Sequence, residues 1–352
     1  MTLTAEQFQQ KIVDWFAHSG RKHLPWQQEK SPYLTWISEV MLQQTQVATV
    51  TPYFQRFIQH FPTLSRLAKA NIDEVLMLWS GLGYYARARN LHRCAQTIEK
   101  EYSGRFPQDL LLLQNLPGIG RSTAGAILAL AFNQPASILD GNVKRVLSRF
   151  HAIPGWPGLS KVNKQLWALA DHYTPKNKHI CHYTQAMMDL GALICTRSQP
   201  KCAECPLQNY CKAYTNNNIA NYPSPKPLKK NPSRIIKMMI LMNEDQEILL
   251  EKRPPSGIWG GLWSLPECAI TENVKNFCKK NYHCEVTKPF EKYPFLKHTF
   301  SHFQLEIRPV RIPVKQWSPP LMESDRIVWY NKQQLTSIGL AAPVKKLLRY
   351  IN

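Results

Sequence analysis

The spacing of hydrophobic residues divides the chain into two parts. From residue 5 to about residue 215, apolar residues recur at intervals of three and four, with few alternating runs. This period is typical of helices that bury one face. Turns rich in glycine and proline interrupt it, such as the turn from Pro117 to Gly120. The pattern therefore predicts an all-α domain over residues 1–215.

Beyond residue 233 the apolar positions often alternate, and branched side chains become frequent. Such runs are typical of half-buried strands, and they cover residues 234–242, 247–253, 303–314 and 325–331. Helical spacing returns near residues 271–280 and 342–350. The pattern predicts a multi-domain protein whose second domain, residues 234–352, belongs to the α/β class.

A polar stretch, residues 216–233, lies between the two patterns and carries prolines at positions 223, 225, 227 and 232. Proline at this density gives an extended and fairly stiff connector. A chain of 352 residues is also longer than one hydrophobic core usually supports. We therefore expect a linker here that separates the two domains.

The chain is strongly basic, with 44 Lys and Arg against 24 Asp and Glu, a formal net charge of +20. Such a surplus favours a polyanionic partner, nucleic acid first and acidic lipid second, although charge alone does not choose between them. The first residues predict an amphipathic helix rather than a secretory signal. No apolar run reaches the roughly 18 residues of a membrane span. We expect a cytoplasmic protein, whose cysteines are thiols or ligands rather than disulfides.

Four of the nine cysteines fall within residues 195–211, with six, two and five residues between successive members. They are Cys195, Cys202, Cys205 and Cys211. Thiolates this close repel one another unless a cation neutralises them, and zinc or an iron–sulfur cluster usually does so. Structural zinc sites more often carry two C-x2-C pairs, whereas this loop has one. The spacing favours a cluster and leaves zinc open.

The segment LPGIGRSTAGAIL, residues 116–128, predicts the end of one helix, a glycine turn and the start of another helix. Gly118 and Gly120 allow the backbone to approach an anion, and the first amides of the second helix point toward it. The segment predicts a helix-hairpin-helix phosphate clamp over about residues 112–130. A tight helical corner without a ligand also needs glycine, so this alternative stays open.

Asp140 stands directly before a further predicted helix, in ILDGNVKRVLSRF, residues 138–150. An aspartate at such a position ordinarily caps the helix. A catalytic carboxylate is the alternative that the residues themselves leave open.

These features together resemble the helix-hairpin-helix DNA glycosylases that carry an iron–sulfur cluster. Four longer segments, spread over much of the chain, resemble adenine DNA glycosylases of the MutY type: SEVMLQQTQV (38–47), GLGYYARARNLH (81–92), LDGNVKRVL (139–147) and QAMMDLGALICTRS (185–198). The resemblance implies one [4Fe-4S] cluster on the four cysteines and a Nudix-like second domain. It also implies base excision repair of adenine mispaired with 8-oxoguanine or guanine in double-stranded DNA. By default we expect a monomer.

The resemblance assigns the reaction to two carboxylates. Glu39 is the general acid that protonates the leaving adenine at N7, although its position alone suggests a solvated surface residue. Asp140 is the anion that stabilises positive charge on the deoxyribose. Because one acid must be protonated and the other ionised, we expect the pKa of Glu39 to lie well above its ordinary value.

Ser122 stands where related bifunctional glycosylases carry a Schiff-base lysine and where many adenine glycosylases carry tyrosine. Opening the sugar and cleaving the strand requires an amine nucleophile. Serine therefore implies a monofunctional hydrolase that leaves an abasic site. Lys144 is the nearest substitute amine, but an ion pair or a phosphate contact explains it more simply.

The same resemblance names the residues around the target base, which has to leave the duplex before it reacts. Gln44 and Tyr84 wedge into the gap that the base leaves. Gln185 hydrogen-bonds the adenine, Asn142 lies near the reacting sugar, and Trp26 lines the base pocket. Without the resemblance, each of these residues has an ordinary packing or surface explanation.

Residues 253–267, RPPSGIWGGLWSLPE, resemble the start of a Nudix domain, but no metal-binding glutamate helix follows. Without clustered carboxylates, nothing holds the magnesium that pyrophosphate hydrolysis requires. The resemblance instead implies recognition of 8-oxoguanine by Phe300, Ser301 and His302. The rival interpretations are a glycosylase with lyase activity, a Nudix hydrolase and a non-catalytic mismatch-binding protein.

Overall fold

The structure is a computed structural model that describes residues 3–176, 179–227, 232–287, 289–300, 302–316, 326–331 and 338–350. Packing separates the chain into two compact units. The first comprises Met1–Lys69 and Asn90–Leu228, and the second comprises Ala70–Arg89 and Lys229–Asn352. The second unit therefore includes a short segment from the helical part of the sequence as well as the C-terminal part.

Helices account for most of the first 215 residues, as the hydrophobic spacing predicts. In chain order the α-helices are α1 (Ala5–Ser19), α2 (Pro32–Leu42), α3 (Val47–His60), α4 (Leu64–Lys69), α5 (Ile72–Trp79), α6 (Ala86–Glu101), α7 (Leu110–Asn115), α8 (Arg121–Ala131), α9 (Gly141–Phe150), α10 (Ser160–Tyr173), α11 (Ile180–Asp189), α12 (Lys212–Thr215), α13 (Val274–Tyr282) and α14 (Ala342–Leu347). A π-helical turn, Leu190–Ile194, follows α11 directly.

The core of the first unit forms where α1, α9, α10 and α11 meet. Each helix contributes its apolar face, with Phe8, Leu147, Leu166 and Met187 among the fully buried side chains. Burial of an apolar side chain of this size contributes about 1.5–3 kcal/mol to folding. This core holds the first turn of α9 and the last turn of α11 in place, and both turns carry residues of the site described below.

The strands of the second unit form one sheet. They are β1 (Ser233–Met242), β2 (Ile248–Lys252), β3 (Trp263–Ser264), β4 (Glu267–Ala269), β5 (Cys284–Val286), β6 (Glu291–Lys292), β7 (Leu296–Thr299), β8 (Gln304–Gln316) and β9 (Ile327–Tyr330). The central order is β3-β2-β1-β8-β5. β1 and β8 run parallel from the pair Ser233 and Gln304 to the pair Met242 and Pro313, whereas the other pairs are antiparallel. Val274 and Cys278 of α13 pack against one face of this sheet.

The expected fold class, a helical domain followed by an α/β domain, is confirmed. The four predicted strands are present as β1, β2, β8 and β9, and the two predicted helices of the second part are α13 and α14. The strands β3 to β7 escape sequence reasoning because each has only two to four residues and no longer alternating run contains it, whereas the four residues of β9 lie within the run 325–331. None of the described helices has the length and hydrophobicity that a membrane span requires.

Candidate active site

A cavity of about 210 Å³ lies in the first unit, beside α2, α11 and the loop that follows α1. Its volume leaves room for one flat heterocycle. Arg21, Trp26, Glu39 and Gln185 form part of its wall. The Trp26 ring is buried and packs edge to face against Phe54, with ring centroids 5.4 Å apart. The structure thus brings together at one cavity three residues that the family resemblance assigns to the base: Trp26, Glu39 and Gln185.

Glu39 lies on α2, a helix whose other face is tightly packed. Trp36, Ile37 and Val40 are buried in the core, so Glu39 is left half-buried at the wall of the cavity. Burial, and secondly the negative charge of Asp140, raise the pKa of Glu39 to about 8. The side chain therefore carries a proton at neutral pH and is placed to donate it into the cavity.

Asp140 is the N-cap residue of α9. One carboxylate oxygen, Oδ1, accepts a hydrogen bond from the backbone N–H of Val143 at 2.8 Å, and Oδ2 accepts one from Asn142 Nδ2 at 3.1 Å. Burial raises the pKa of Asp140, whereas Val143, Arg145 and Asn142 favour its anion. The hydrogen bonds from Val143 and Asn142 and the charge of Arg145 thus suit Asp140 to act as an anion.

Asn142 and Ser122 lie around Asp140 and hold it in place. Asn142 donates to Asp140, and its own Oδ1 accepts from Arg145 Nη2 at 2.8 Å. Ser122 Oγ accepts from the backbone N–H of Leu139 at 3.0 Å, which ties the start of α8 to the residue before Asp140. The position that carries lysine in bifunctional relatives thus holds a hydroxyl that is engaged with the backbone.

The helix-hairpin-helix turn lies between α7 and α8. Gly118 has φ +79°, and a Cβ atom there would approach Asn90 Cβ to 2.7 Å, so both conformation and packing require glycine. Gly120 has an ordinary φ of −91° and caps α8, and a Cβ atom there would meet only open space. Contacts within the chain therefore explain Gly118 but not Gly120, whose open side suits the approach of a ligand.

Gln44 and Tyr84 are both solvent-exposed and both have positive φ, 58° and 49°. Backbone strain of this kind at residues other than glycine is uncommon and concentrates at functional positions. Gln44 belongs to the first unit and Tyr84 to the second, and neither contributes to the wall of the cavity. Tyr84 carries the Arg87 guanidinium over its ring at 5.6 Å.

The loop of four cysteines, residues 195–211, places Cys195, Cys202, Cys205 and Cys211 around one common cavity. All nine cysteines of the chain are free. Burial and, secondarily, neighbouring thiolates raise the pKa of Cys202, Cys205 and Cys211, so a cation is needed to hold them as thiolates. Four thiols around a shared space offer the ligand set that an iron–sulfur cluster takes.

In the second unit, Phe300 and His302, two of the residues expected to recognise 8-oxoguanine, lie in a cluster of aromatic side chains. The Trp259 and Phe300 rings are 5.3 Å apart, and Phe300 stacks on Phe303 at 4.6 Å. His302 lies 6.4 Å from Phe300. Ser301 lies outside the described residues. α13, which follows the Nudix-like segment, carries no carboxylate.

Sequence reasoning missed Arg21 and Asp189. Asp189 ends α11 and is fully buried, and it pairs with Arg21 of the cavity wall at 2.6 Å. A charged residue within the apolar run MMDLG is a signal, because buried carboxylates require partners. The partner is 168 positions away, which no local pattern shows.

Three family descriptions match the chain. Residues 37–172 match "HhH-GPD superfamily base excision DNA repair protein", and residues 237–350 match "NUDIX domain". Residues 195–211 match "Iron-sulfur binding domain of endonuclease III". The loop of four cysteines is therefore an iron–sulfur site.

Known proteins are similar over nearly the whole of this chain. The Adenine DNA glycosylase of Buchnera aphidicola subsp. Baizongia pistaciae is 41% identical over 99% of this chain and 98% of its own. The Adenine DNA glycosylase of Homo sapiens is 30% identical over 97% of this chain and 73% of its own. A solved thermostable thymine-DNA glycosylase has a TM-score of 0.53 and 27% identity, covering 60% of this chain and 97% of that one. The chain therefore belongs to the adenine DNA glycosylase family.

Proposed function

We propose that this enzyme hydrolyses the N-glycosidic bond of adenine paired with 8-oxoguanine or guanine, with Glu39 as the acid and Asp140 as the anion. One observation carries the proposal: Glu39 lines a cavity with room for a purine, and the negative charge of Asp140 lies near enough to contribute to the raised pKa of Glu39. Such pairs divide the acid and anion roles between them.

In the proposed reaction the adenine is first extruded from the duplex into the cavity. Glu39 donates its proton to N7, so the electrons of the C1′–N9 bond leave on a neutral base rather than an anion. Asp140, fixed by Val143 and Asn142, stabilises the positive charge at C1′. Water then adds to C1′ and loses a proton. The product is an abasic site, because Ser122 offers no amine to open the sugar.

A nicking assay tests the proposal directly. The protein is incubated with labelled duplexes that contain A:8-oxoguanine, A:G or A:T, and each sample is divided and treated with or without alkali. We expect breaks at the adenine of the first two duplexes after alkali only, because abasic sites are alkali-labile. Breaks without alkali would instead show lyase activity, and binding without any breaks would show a non-catalytic mismatch protein.

We assign a [4Fe-4S] cluster to the iron–sulfur loop, since all four ligands of such a cluster are thiolates. Protein purified without oxygen is expected to contain about four irons per chain and to absorb broadly in the visible range. Cys205→Ser should lose most of this iron, whereas Cys181→Ser, outside the loop, should keep it. A colourless protein with one zinc per chain would contradict the assignment.

The second unit is the proposed reader of 8-oxoguanine. Aromatic faces stack on bases without regard to sequence, and Phe300, His302 and Trp259 form such a group. A helix α13 without carboxylates supports recognition rather than pyrophosphate hydrolysis. Preference for A:8-oxoguanine over A:G in the nicking assay is the expected sign of this contact.

We propose that the protein acts on DNA in the cytoplasm and that it does so as a monomer. Nine free cysteines suit a reducing compartment. The net charge of +20 attracts the protein to the phosphate backbone.

A further inference from the structure

Asp189 is a fully buried carboxylate that does not take part in the proposed bond cleavage. Its Oδ2 accepts from the backbone N–H of Arg21 at 2.7 Å, and its Oδ1 accepts from Arg21 Nε at 3.0 Å and Nη2 at 2.6 Å. Oδ1 also accepts from Gln185 Nε2 at 2.9 Å. The carboxylate therefore binds two residues of the cavity wall at once.

The contact with Gln185 fixes which end of the amide is engaged. A carboxylate accepts hydrogen bonds and does not donate them, so Gln185 has to turn its NH2 group toward Asp189. The carbonyl oxygen, Oε1, accepts no hydrogen bond from the part of the chain that the structure describes, and the side chain lines the cavity and is only 9% exposed. An acceptor at this point favours a base that presents a hydrogen-bond donor.

We infer that Asp189 is a positioning residue for base specificity: by holding the Gln185 amide in one orientation, it makes the pocket select the 6-amino group of adenine. The inference rests on the proposed function and adds a residue to it. Hypoxanthine carries an oxygen at carbon 6, which would face the Gln185 oxygen acceptor against acceptor. Purine carries no substituent there and serves as a neutral reference.

The test compares single-turnover release of adenine, hypoxanthine and purine, each opposite 8-oxoguanine, by the native protein and its variants. Dividing each rate by the rate for purine cancels the fraction of protein that is folded. Comparing this ratio with the ratio of the native protein then cancels the intrinsic lability of each base. Asp189→Ala is expected to lower the adenine ratio about tenfold and to raise the hypoxanthine ratio, since an unfixed amide can turn either end inward. Asp189→Ser, whose hydroxyl can donate as well as accept, should do the same with a smaller loss of volume.

Two variants serve as controls. Asp189→Asn keeps one acceptor oxygen, which is expected to take the place of Oδ1, where Arg21 Nε, Arg21 Nη2 and Gln185 Nε2 all donate. Its NH2 group then faces the Arg21 backbone N–H donor against donor, which lowers stability, but the Gln185 amide stays fixed and the native ratios should be retained. Asp171→Ala breaks another ion pair with an arginine, Arg121, at the surface, and should also leave the ratios unchanged.

Equal slowing of all three bases in both Asp189→Ala and Asp189→Ser would overturn the inference and leave Asp189 a purely structural residue. A ratio that falls as far in Asp189→Asn as in Asp189→Ala would also overturn it, because charge rather than acceptor geometry would then be responsible. Failure of the native protein to release any adenine is a different result, since it would remove the proposed function itself.

Discussion

Replacing Glu39 with glutamine is expected to slow adenine release by about 10²- to 10⁴-fold, the range that a positioned general acid contributes. Glutamine preserves the size and polarity of the side chain but has no acidic proton for N7. The measurement is single-turnover release from an A:8-oxoguanine duplex, with the Kd for a duplex carrying an abasic-site analogue measured in parallel. Binding should stay close to native, because a protonated carboxyl and an amide are both neutral. Turnover near the native rate would remove Glu39 from the mechanism.

The same proton determines how the native enzyme responds to pH. The pKa of Glu39 is raised to about 8 by burial and by the charge of Asp140. Catalysis uses the protonated form, so adenine release is expected to fall as the pH rises through about 8. A rate that stays level across this range would contradict the role of Glu39 as acid.

Stability and activity should change in opposite directions in Glu39→Gln. The pKa of Glu39 is about 8 in the folded protein against an ordinary 4.5, so the folded state holds an extra proton between these values. The free energy of unfolding therefore declines as the pH rises through this window, by up to about 1.4 kcal/mol per pH unit for this group. Glutamine removes that decline, and the variant should be the more stable protein near pH 8. Urea midpoints measured at both ends of the window check this, and identical pH slopes would contradict it.

Much of the fold is predictable from the sequence because long elements repeat their period several times. β1 and β8 alternate over enough residues to be recognised, and each α-helix of the first unit shows its apolar face. β3 and β6 contain two residues each and have no period at all. Their positions follow from pairing with β2 and β8, which are contacts that the sequence does not display.

The site is less predictable than the fold, because its chemistry depends on contacts between distant segments. Local sequence gives Glu39 the pattern of a surface residue, and only packing places it beside Asp140, where its pKa rises. The resemblance to a family supplied this assignment, whereas spacing did not. Asp189 shows most clearly what the sequence does not reveal. The motif around Asp189 indicates that its side chain is buried, but it does not show the contact with Arg21 or the orientation that Asp189 imposes on Gln185.

Replacing Asp140 with asparagine is expected to separate the two roles of this residue. Asparagine caps helices about as well as aspartate, so its Oδ1 can still accept from the N–H of Val143. The contact with Asn142 Nδ2 becomes donor against donor, at a cost of about 1 kcal/mol in unfolding free energy. Adenine release should nevertheless fall about 10²- to 10³-fold, because a neutral amide does not stabilise the positive sugar as an anion does.

Asp140→Ala is the comparison that makes this prediction decisive, because it loses the cap as well as the charge. We expect it to be less stable than Asp140→Asn by about 1 kcal/mol, yet no slower in single-turnover release per folded molecule. Both rates are measured on an A:8-oxoguanine duplex after the folded fraction is determined by urea unfolding. If activity instead follows the cap, with Asp140→Asn near native and Asp140→Ala inactive, the N-terminus of α9 is what the reaction needs. The negative charge would then have no part in the chemistry.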